Sequence, residues 1–532
     1  MAPSASQVVK PKNDSLPMPG LPAETIANIF LYLSDASRQH LFKARAVSKG
    51  WMKFIDATPI LWTPISTHLG SEMVSRAVER SGSLPLDVDI GIYPRRELST
   101  PDATVADQIS AAGVLEQLWR IRTLEVDLLD LEGVSTERAH HLLNENAAPI
   151  LEQLRIVGTE TDEMVPVALD QKFFGSSIPP LLRDLQITIC AVSLHCPLLH
   201  ASTLVSVRID ECRVWGSVEK VLDSLSSWPL LETFVWMSPE GGVDDWNDQF
   251  IGDFAITRMP KSEWKGVRVR LPRLKTLKLR HEPAPILTIF SRLHFPTSCD
   301  IDLTFFVETI ETEKDEDRMR DALDHTLGAY LGNVFSDGEG FATIAVETPR
   351  DADALPYEPF HGVAITWTDP SSSPAPVGLK TTFYRNENSA RCNELPLAEH
   401  LMKWPQTSSY LTGVNLGPMD FLYNHEEEQE YVRRTFDSDW HRLLALFKSI
   451  EYLCIRKDEG LSWLFQVLNR ERSVLPQMKS LYLEETHVDE LTTLVSMARR
   501  RMEEYSLSPN PRCTSLCGGA PSTSASWSLS WR

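Results

Sequence analysis

What this sequence lacks narrows it first. Eight cysteines among 532 residues are too few for a disulfide framework, so a reducing compartment, cytosol or nucleus, is expected. No run approaches the roughly 18 apolar residues that would span a bilayer, and no membrane contact is expected. The opening MAPSASQVVKPKNDS has no apolar stretch of the kind a secretory signal needs. The patterns G-x-x-x-x-G-K-[ST], G-x-S-x-G and H-E-x-x-H, which mark nucleotide cradles, hydrolases and zinc proteases, are all missing. Cys190 with Cys196, and Cys513 with Cys517, have no second ligand pair to close a zinc site and read as separate thiols. His140-His141 reads as a surface pair on a helical stretch. No catalytic residue, metal or cofactor is assigned.

Positive charge is also scarce. The chain holds 52 Lys and Arg against 73 Asp and Glu, a net charge of −21. Residues 1–20 carry +1, residues 21–66 carry +2 and the tail from Ser506 carries +2, which leaves −26 for residues 67–505. So acidic a body repels phosphate backbones, and nucleic acid is not expected as a partner. A hydrophobic content of 42% and a charged content of 23% belong to a folded protein. The length exceeds the roughly 250–300 residues of a single core, so several units or a repeat array are required. Residues 1–20, rich in Pro, Ser and Lys, read as a disordered leader. Residues 506–532, rich in Ser with Gly518-Gly519, read as a disordered tail without periodicity.

What is present falls into two regimes. Residues 21–66 predict three short helices. Pro22 suits a first helical position, and Glu24 in the first turn suits the helix dipole. Ile26, Ile29, Phe30 and Leu33 share one apolar face. Ser34 and Asp35 stop that helix, and a second runs to about Ala46. Ser48 can cap a third carrying Trp51, Phe54 and Ile55, which Thr58-Pro59 ends. Leu61 and Trp62 offer apolar closing contacts.

From about Leu115 a different pattern recurs, apolar-x-x-apolar-x-apolar with strand character. It is seen at Ile121/Leu124/Val126, Leu151/Leu154/Ile156, Leu182/Leu185/Ile187, Leu204/Val207/Ile209, Leu231/Phe234/Trp236 and Leu274/Leu277/Leu279. Weaker copies are Phe341/Ile344/Val346, Leu411/Val414/Leu416, Ile450/Leu453/Ile455 and Met478/Leu481/Leu483. Helical faces lie between some of them, as at Val218, Val221, Leu222 and Leu225. Each helix–loop–strand unit must stack on its neighbours to bury its apolar face, the logic of a leucine-rich repeat at longer and irregular spacing. Residues 283–440, with the acidic run from Glu308 to Arg318, read as inserted loops. The alternative is a set of unrelated amphipathic elements in an α/β domain.

The helical segment carries a resemblance. Leu21-Pro22-Ala23-Glu24, then Ile29-Phe30 and Leu33, Val47-Ser48-Lys49-Gly50-Trp51 and Pro59-Ile60-Leu61-Trp62 follow in order. This series resembles the F-box, a three-helix module, over about 45 of the 532 residues. The chain beyond it, with Val74–Leu86 as helix, turn and strand and Phe174-Gly175 ahead of Pro179–Arg183, resembles the large fungal F-box families. Those carry degenerate leucine-rich-like repeats. The resemblance implies an α+β or α/β fold: an F-box at 21–66 and an irregular leucine-rich-repeat-like α/β solenoid over 67–505.

It also implies partners. An F-box docks on the Skp-type adaptor of a cullin-based (SCF) ubiquitin ligase, and Leu21, Pro22, Ile29, Leu33, Val47 and Trp51 are the positions assigned to that contact. Of the apolar set, Ile26 and Trp51 are the ones expected in the module's own core. The array would then present a protein substrate of unknown identity to the ligase, without chemistry of its own. That substrate is expected to be basic if it is recognised through the acidic surface. Two alternatives stand beside this. One is an interaction scaffold outside any ligase. The other is a metal-dependent transferase using a D-x-D triplet, Asp87-Val88-Asp89, Asp300-Ile301-Asp302 or Asp437-Ser438-Asp439. Alternate acids on a strand also simply face water.

Overall fold

A computed structural model describes residues 21–36, 38–67, 70–91, 111–127, 134–158, 167–238, 269–307, 312–336, 343–347, 361–368, 378–385, 397, 400–404, 411–416, 444–456, 477–484, 513–518 and 526–531. The leader and the third D-x-D triplet lie outside them. The chain divides into two compact units, Met1–Trp215 with Asp223–Thr233, and Gly216–Leu222 with Phe234–Arg532. Both are mixed α/β with a mostly parallel sheet.

The first unit opens with helices α1 (Ala23–Ala36), α2 (Arg38–Val47) and α3 (Lys49–Asp56). Ser48 caps α3 by accepting from the Trp51 N–H at 3.1 Å. A 3-10 turn over Pro59–Trp62 leads into β1 (Pro64–Ser66). Next come α4 (Ser71–Arg80), β2 (Leu86–Ile90), β3 (Ile121–Asp127), α5 (Val134–Glu145), β4 (Gln153–Val157), β5 (Val167–Leu169), β6 (Asp184–Thr188), β7 (Cys190–Val192) and β8 (Ser206–Asp210). The strands β1, β2, β3, β4, β6 and β8 lie side by side in chain order, each parallel to the last. Their register aligns Ile65, Val88, Leu124, Leu154, Leu185 and Val207 in one row, all at most 2% exposed. Side chains alternate across a strand, so the row between them is polar. β5 pairs with β7 in a small sheet of its own.

A helix is not present in every interval. Between β4 and β6, and again between β6 and β8, the described chain crosses by a short strand and a 3-10 turn, Phe173–Ser176 or Pro197–His200. Left-handed Phe174, Gly175 and Ser176 (φ 54°, 62° and 60°) and the N-terminal Pro197 favour such tight turns over a helix. The helix–loop–strand rhythm read from the sequence therefore holds for some crossings only.

The helix α6 (Val218–Ser226) crosses the dividing line in sequence. In the second unit, β9 (Thr233–Met237, from Phe234 on), β10 (Val269–Arg270) and β11 (Thr276–His281) precede α7 (Pro283–Arg292), β12 (Leu293–His294) and β13 (Asp300–Phe306). α8 (Glu313–Leu323), a π-turn over Asp324–Gly328 and α9 (Ala329–Ser336) follow. Then come β14 (Thr343–Glu347), β15 (His361–Thr368), β16 (Gly378–Arg385), β17 (Gly413–Leu416), β18 (Tyr452–Arg456), β19 (Ser480–Glu484), β20 (Cys513–Gly518) and β21 (Ser526–Trp531).

Two sequence expectations change here. Residues 283–440 are not simply inserted loops. β16 pairs parallel with β13, β15 and β14 follow as antiparallel neighbours, and β17 resumes the parallel run beside β14. From Thr312 on, the acidic run opens α8: Thr312 caps it, and Glu313, Asp315 and Glu316 sit in its first turn, where the dipole favours carboxylates. The tail also carries regular structure, since β21 pairs antiparallel with β19 and β20 with β21. Its Ser526-Trp527-Ser528-Leu529-Ser530-Trp531 alternates with period two, a strand signal hidden by the serine-rich composition.

All ten repeat triplets end in strands: β3, β4, β6, β8, β9, β11, β14, β17, β18 and β19. Every member whose side chain is described is buried, from Ile121 at 0% to Trp236 at 5%. Among the described residues, no helix is long and apolar enough to cross a membrane.

Candidate functional site

The three N-terminal helices build a small core from one stripe of each. Ile26, Ala27 and Phe30 of α1, Leu41 and Ala44 of α2, and Phe54 and Ile55 of α3 are all buried. Phe30 sits at the centre, 5.1 Å edge-on from the Trp51 ring and 6.1 Å from Phe54. Leu61 and Trp62 close the underside at 1% exposure each, and the Trp62 indole donates to the Ile55 carbonyl at 2.8 Å. Ile26 is the core residue expected. Trp51 is only half-buried, with one side on Phe30.

The other assigned residues lie outside this core. Leu21 and Ile29 are each 37% exposed, Val47 is 66% exposed, Pro22 is exposed and Leu33 is half-buried. The Pro22 carbonyl accepts from the Ile26 N–H at 3.1 Å, which starts the helix at Pro22. At 100° per residue, Pro22, Ile29 and Leu33 form a second stripe roughly 90° round α1 from the buried one. Val47 and Trp51 flank the capping Ser48 at the α2–α3 junction. Phe30, packed on Trp51, links the two groups through the core. Tyr32, 77% exposed, belongs with this outer side of α1 and was not picked out in the sequence. Its position three residues after Ile29 was the available signal.

The module is anchored to the helix and strand that succeed it in the chain. Asp56 at the end of α3 accepts from Arg45 Nε at 2.8 Å and Nη2 at 3.0 Å, and it pairs with Arg80 of α4. Arg80 also lies over the Trp62 ring, 4.9 Å from its centroid. Burial pushes the Asp56 carboxyl up, but the hydrogen bonds from Arg45 and Arg80 outweigh it and hold the pKa below its ordinary value. β1 then joins the sheet directly through β2, within the span read as the helical module.

Acids of the two described D-x-D triplets have local partners. Asp87 is bidentate to Arg122 at 3.1 and 2.7 Å, Asp89 accepts from the Ser66 hydroxyl at 3.1 Å, and Val88 between them is buried. Asp302 lies 4.0 Å from Lys278. Among the described residues no three His, Cys, Asp or Glu side chains converge as a metal site. Cys190, Cys196 and Cys212 are free and buried, and desolvation pushes the Cys196 and Cys212 thiols up to about 12. Buried, protonated thiols are poor nucleophiles and poor ligands. His140 contacts the Ala168 carbonyl at 2.9 Å and His141 lies 3.2 Å from Glu145, both at the surface.

The described part of the module thus holds aliphatic and aromatic side chains out on short, well-anchored helices. No protein-family model matches the chain, and no curated protein matches it either.

Proposed function

We propose that this chain is the substrate-receptor subunit of an SCF-type ubiquitin ligase, its helices 21–66 acting as an F-box. The observation that supports this is the outer apolar stripe. Leu21, Pro22, Ile29 and Val47 stay exposed although the module's core is already filled by Ile26, Phe30, Phe54 and Trp62. Exposed apolar side chains beside a complete core are what a helix-docking face requires. The Skp-type adaptor would take this stripe and bring the cullin with it. The sheet-bearing remainder would hold the substrate. No bond is made or broken by this chain. Transfer would gain from proximity, because a tethered substrate meets the charged conjugating enzyme at high effective concentration.

A pull-down of purified Skp-type adaptor by the full chain tests the reading. The wild type is expected to retain the adaptor. Leu21→Ala with Pro22→Ala, and separately Val47→Asp, are expected to weaken retention at least tenfold, given about 1.5–3 kcal/mol for each large apolar side chain buried. No retention, or variants that retain as much as the wild type, would overturn it. A native immunoprecipitate adds the next distinction: adaptor without cullin would assign the same contact to a scaffold outside any ligase.

A further inference from the structure

In the second unit the parallel run β17, β18, β19 stops against a strand of the opposite direction. β19 pairs with β18 without a register break, from Tyr452 opposite Ser480 to Arg456 opposite Glu484. β21 lies antiparallel on β19, with Ser480 opposite Ser530, Leu481 opposite Leu529, Tyr482 opposite Ser528, Leu483 opposite Trp527 and Glu484 opposite Ser526. β20 pairs with β21 in turn, and its register shifts between Cys513 and Leu516. β19 and β20 differ in what they would offer a newcomer. Stripped of β21, β19 would show an unbroken row of main-chain donors and acceptors, with no Pro or Gly from Met478 to Glu484. Its Lys479, a charge that could guard the edge, is already held by Glu451 at 2.5 Å. β20 has the register shift, ends on Gly518 and is preceded by Pro509 and Pro511. Bulges, glycine and proline are what blunt a strand as a template.

Self-complementarity names what a bare β19 edge would take. Ser480-Leu481-Tyr482-Leu483-Glu484 alternates with period two, Leu481 being 0% and Tyr482 43% exposed. Ser526-Trp527-Ser528-Leu529-Ser530 repeats that alternation, and the antiparallel register sets apolar opposite apolar. β19 itself meets the same specification. Two copies of it, antiparallel about a twofold axis at Tyr482, would set Leu481 opposite Leu483 and Ser480 opposite Glu484, with no like charges opposed. We propose that the hairpin β20–β21 is a cap that keeps β19 from pairing with the β19 of a second copy. The chain is then single while the cap is closed, and it pairs through β19 once the cap is opened. The cap prevails because it acts in cis: a tethered strand competes at roughly millimolar effective concentration, well above that of a free second copy in dilute solution. This device is independent of the ligase reading.

Ser528→Pro with Leu529→Pro in the full chain opens the cap, because adjacent residues of a strand point their N–H groups to opposite neighbours and proline has none. Molar mass is read by light scattering across a dilution series. The wild type is expected at one chain mass throughout, and the variant at double that mass at the upper end. Excess synthetic peptide Ser526–Trp531 should return the variant to one chain mass, and the same peptide with both prolines should not. If circular dichroism shows the proline pair to be unfolded, Leu529→Asp, which sets a charge opposite the buried Leu481, opens the same edge. Folded variants that stay at one chain mass, or a dimer that the peptide leaves intact, would overturn the proposal. So would a wild-type dimer that the substitutions disperse, since that is exchange of the hairpin between copies.

Discussion

Gly158, just past β4, sits where the chain of the next crossing leaves no room for a side chain. A Cβ there would overlap the Ile189 carbonyl oxygen and lie 2.9 Å from Cys190 Sγ, while its N–H donates to Thr188 O at 2.7 Å. Gly158→Ala must therefore move backbone, at a cost of roughly 2–3 kcal/mol, the scale of an overpacked core. A melting temperature several degrees below wild type is expected, and thermal denaturation followed by circular dichroism measures it. An unchanged melt would mean that the close approach relaxes freely. Ile189 and Glu211 take left-handed φ values of 53° and 50° at matching places after β6 and β8, each followed by a buried cysteine. Cys212 Sγ donates to Ile187 O at 3.4 Å, and the Cys190 N–H reaches Cys212 Sγ at 3.4 Å. With desolvation holding Cys196 and Cys212 near 12, these thiols should resist a thiol reagent at neutral pH until the protein unfolds. Rapid labelling of either in the native chain, mapped by peptide mass, would contradict their burial. None of this was legible residue by residue. Along the sequence Cys190 stands nearest Cys196, whereas its neighbour in space is Cys212, 22 residues on, because parallel stacking sets one crossing on the next.

Among the elements, the junction of α2, α3 and α4 rests on Asp56. Its carboxylate holds Arg45 and Arg80 at once, so Asp56→Asn should cost about 1–3 kcal/mol at neutral pH and release the helices from α4. The pH dependence has a definite sign. A carboxyl whose folded pKa is depressed contributes stability that is present above its unfolded value, about 3.9, and is lost as pH falls through the lower folded value. The gap in melting temperature between wild type and Asp56→Asn should thus be constant above about pH 5 and close below about pH 4. A gap that widens in acid would reverse the assignment. At this scale the sequence spoke clearly for α1 to α3 and for the Ser48 cap, since these depend on contacts a few residues apart. It spoke less clearly for β13, β15 and β16, whose partners are chosen across the sheet.

For the whole molecule, the charge of −21 and its concentration to −26 over residues 67–505 remain the largest long-range feature. A partner recognised through that acidic surface should carry basic residues. Its affinity should fall at least several-fold between low and physiological salt, readable by isothermal titration. A salt-independent affinity would leave the acid to solubility alone. Composition, the helical face of α1 and the ten apolar triplets were determined by the sequence itself, because each rests on a local period or a sum over residues. Which apolar residues face outward was not. Ile29 and Phe30 are equally apolar neighbours, yet one is 37% exposed and the other 0%. Trp119 lies one residue from the buried Arg120. Only the packing of helix on helix and strand beside strand separates the two faces, since burial depends on what arrives from elsewhere in the chain.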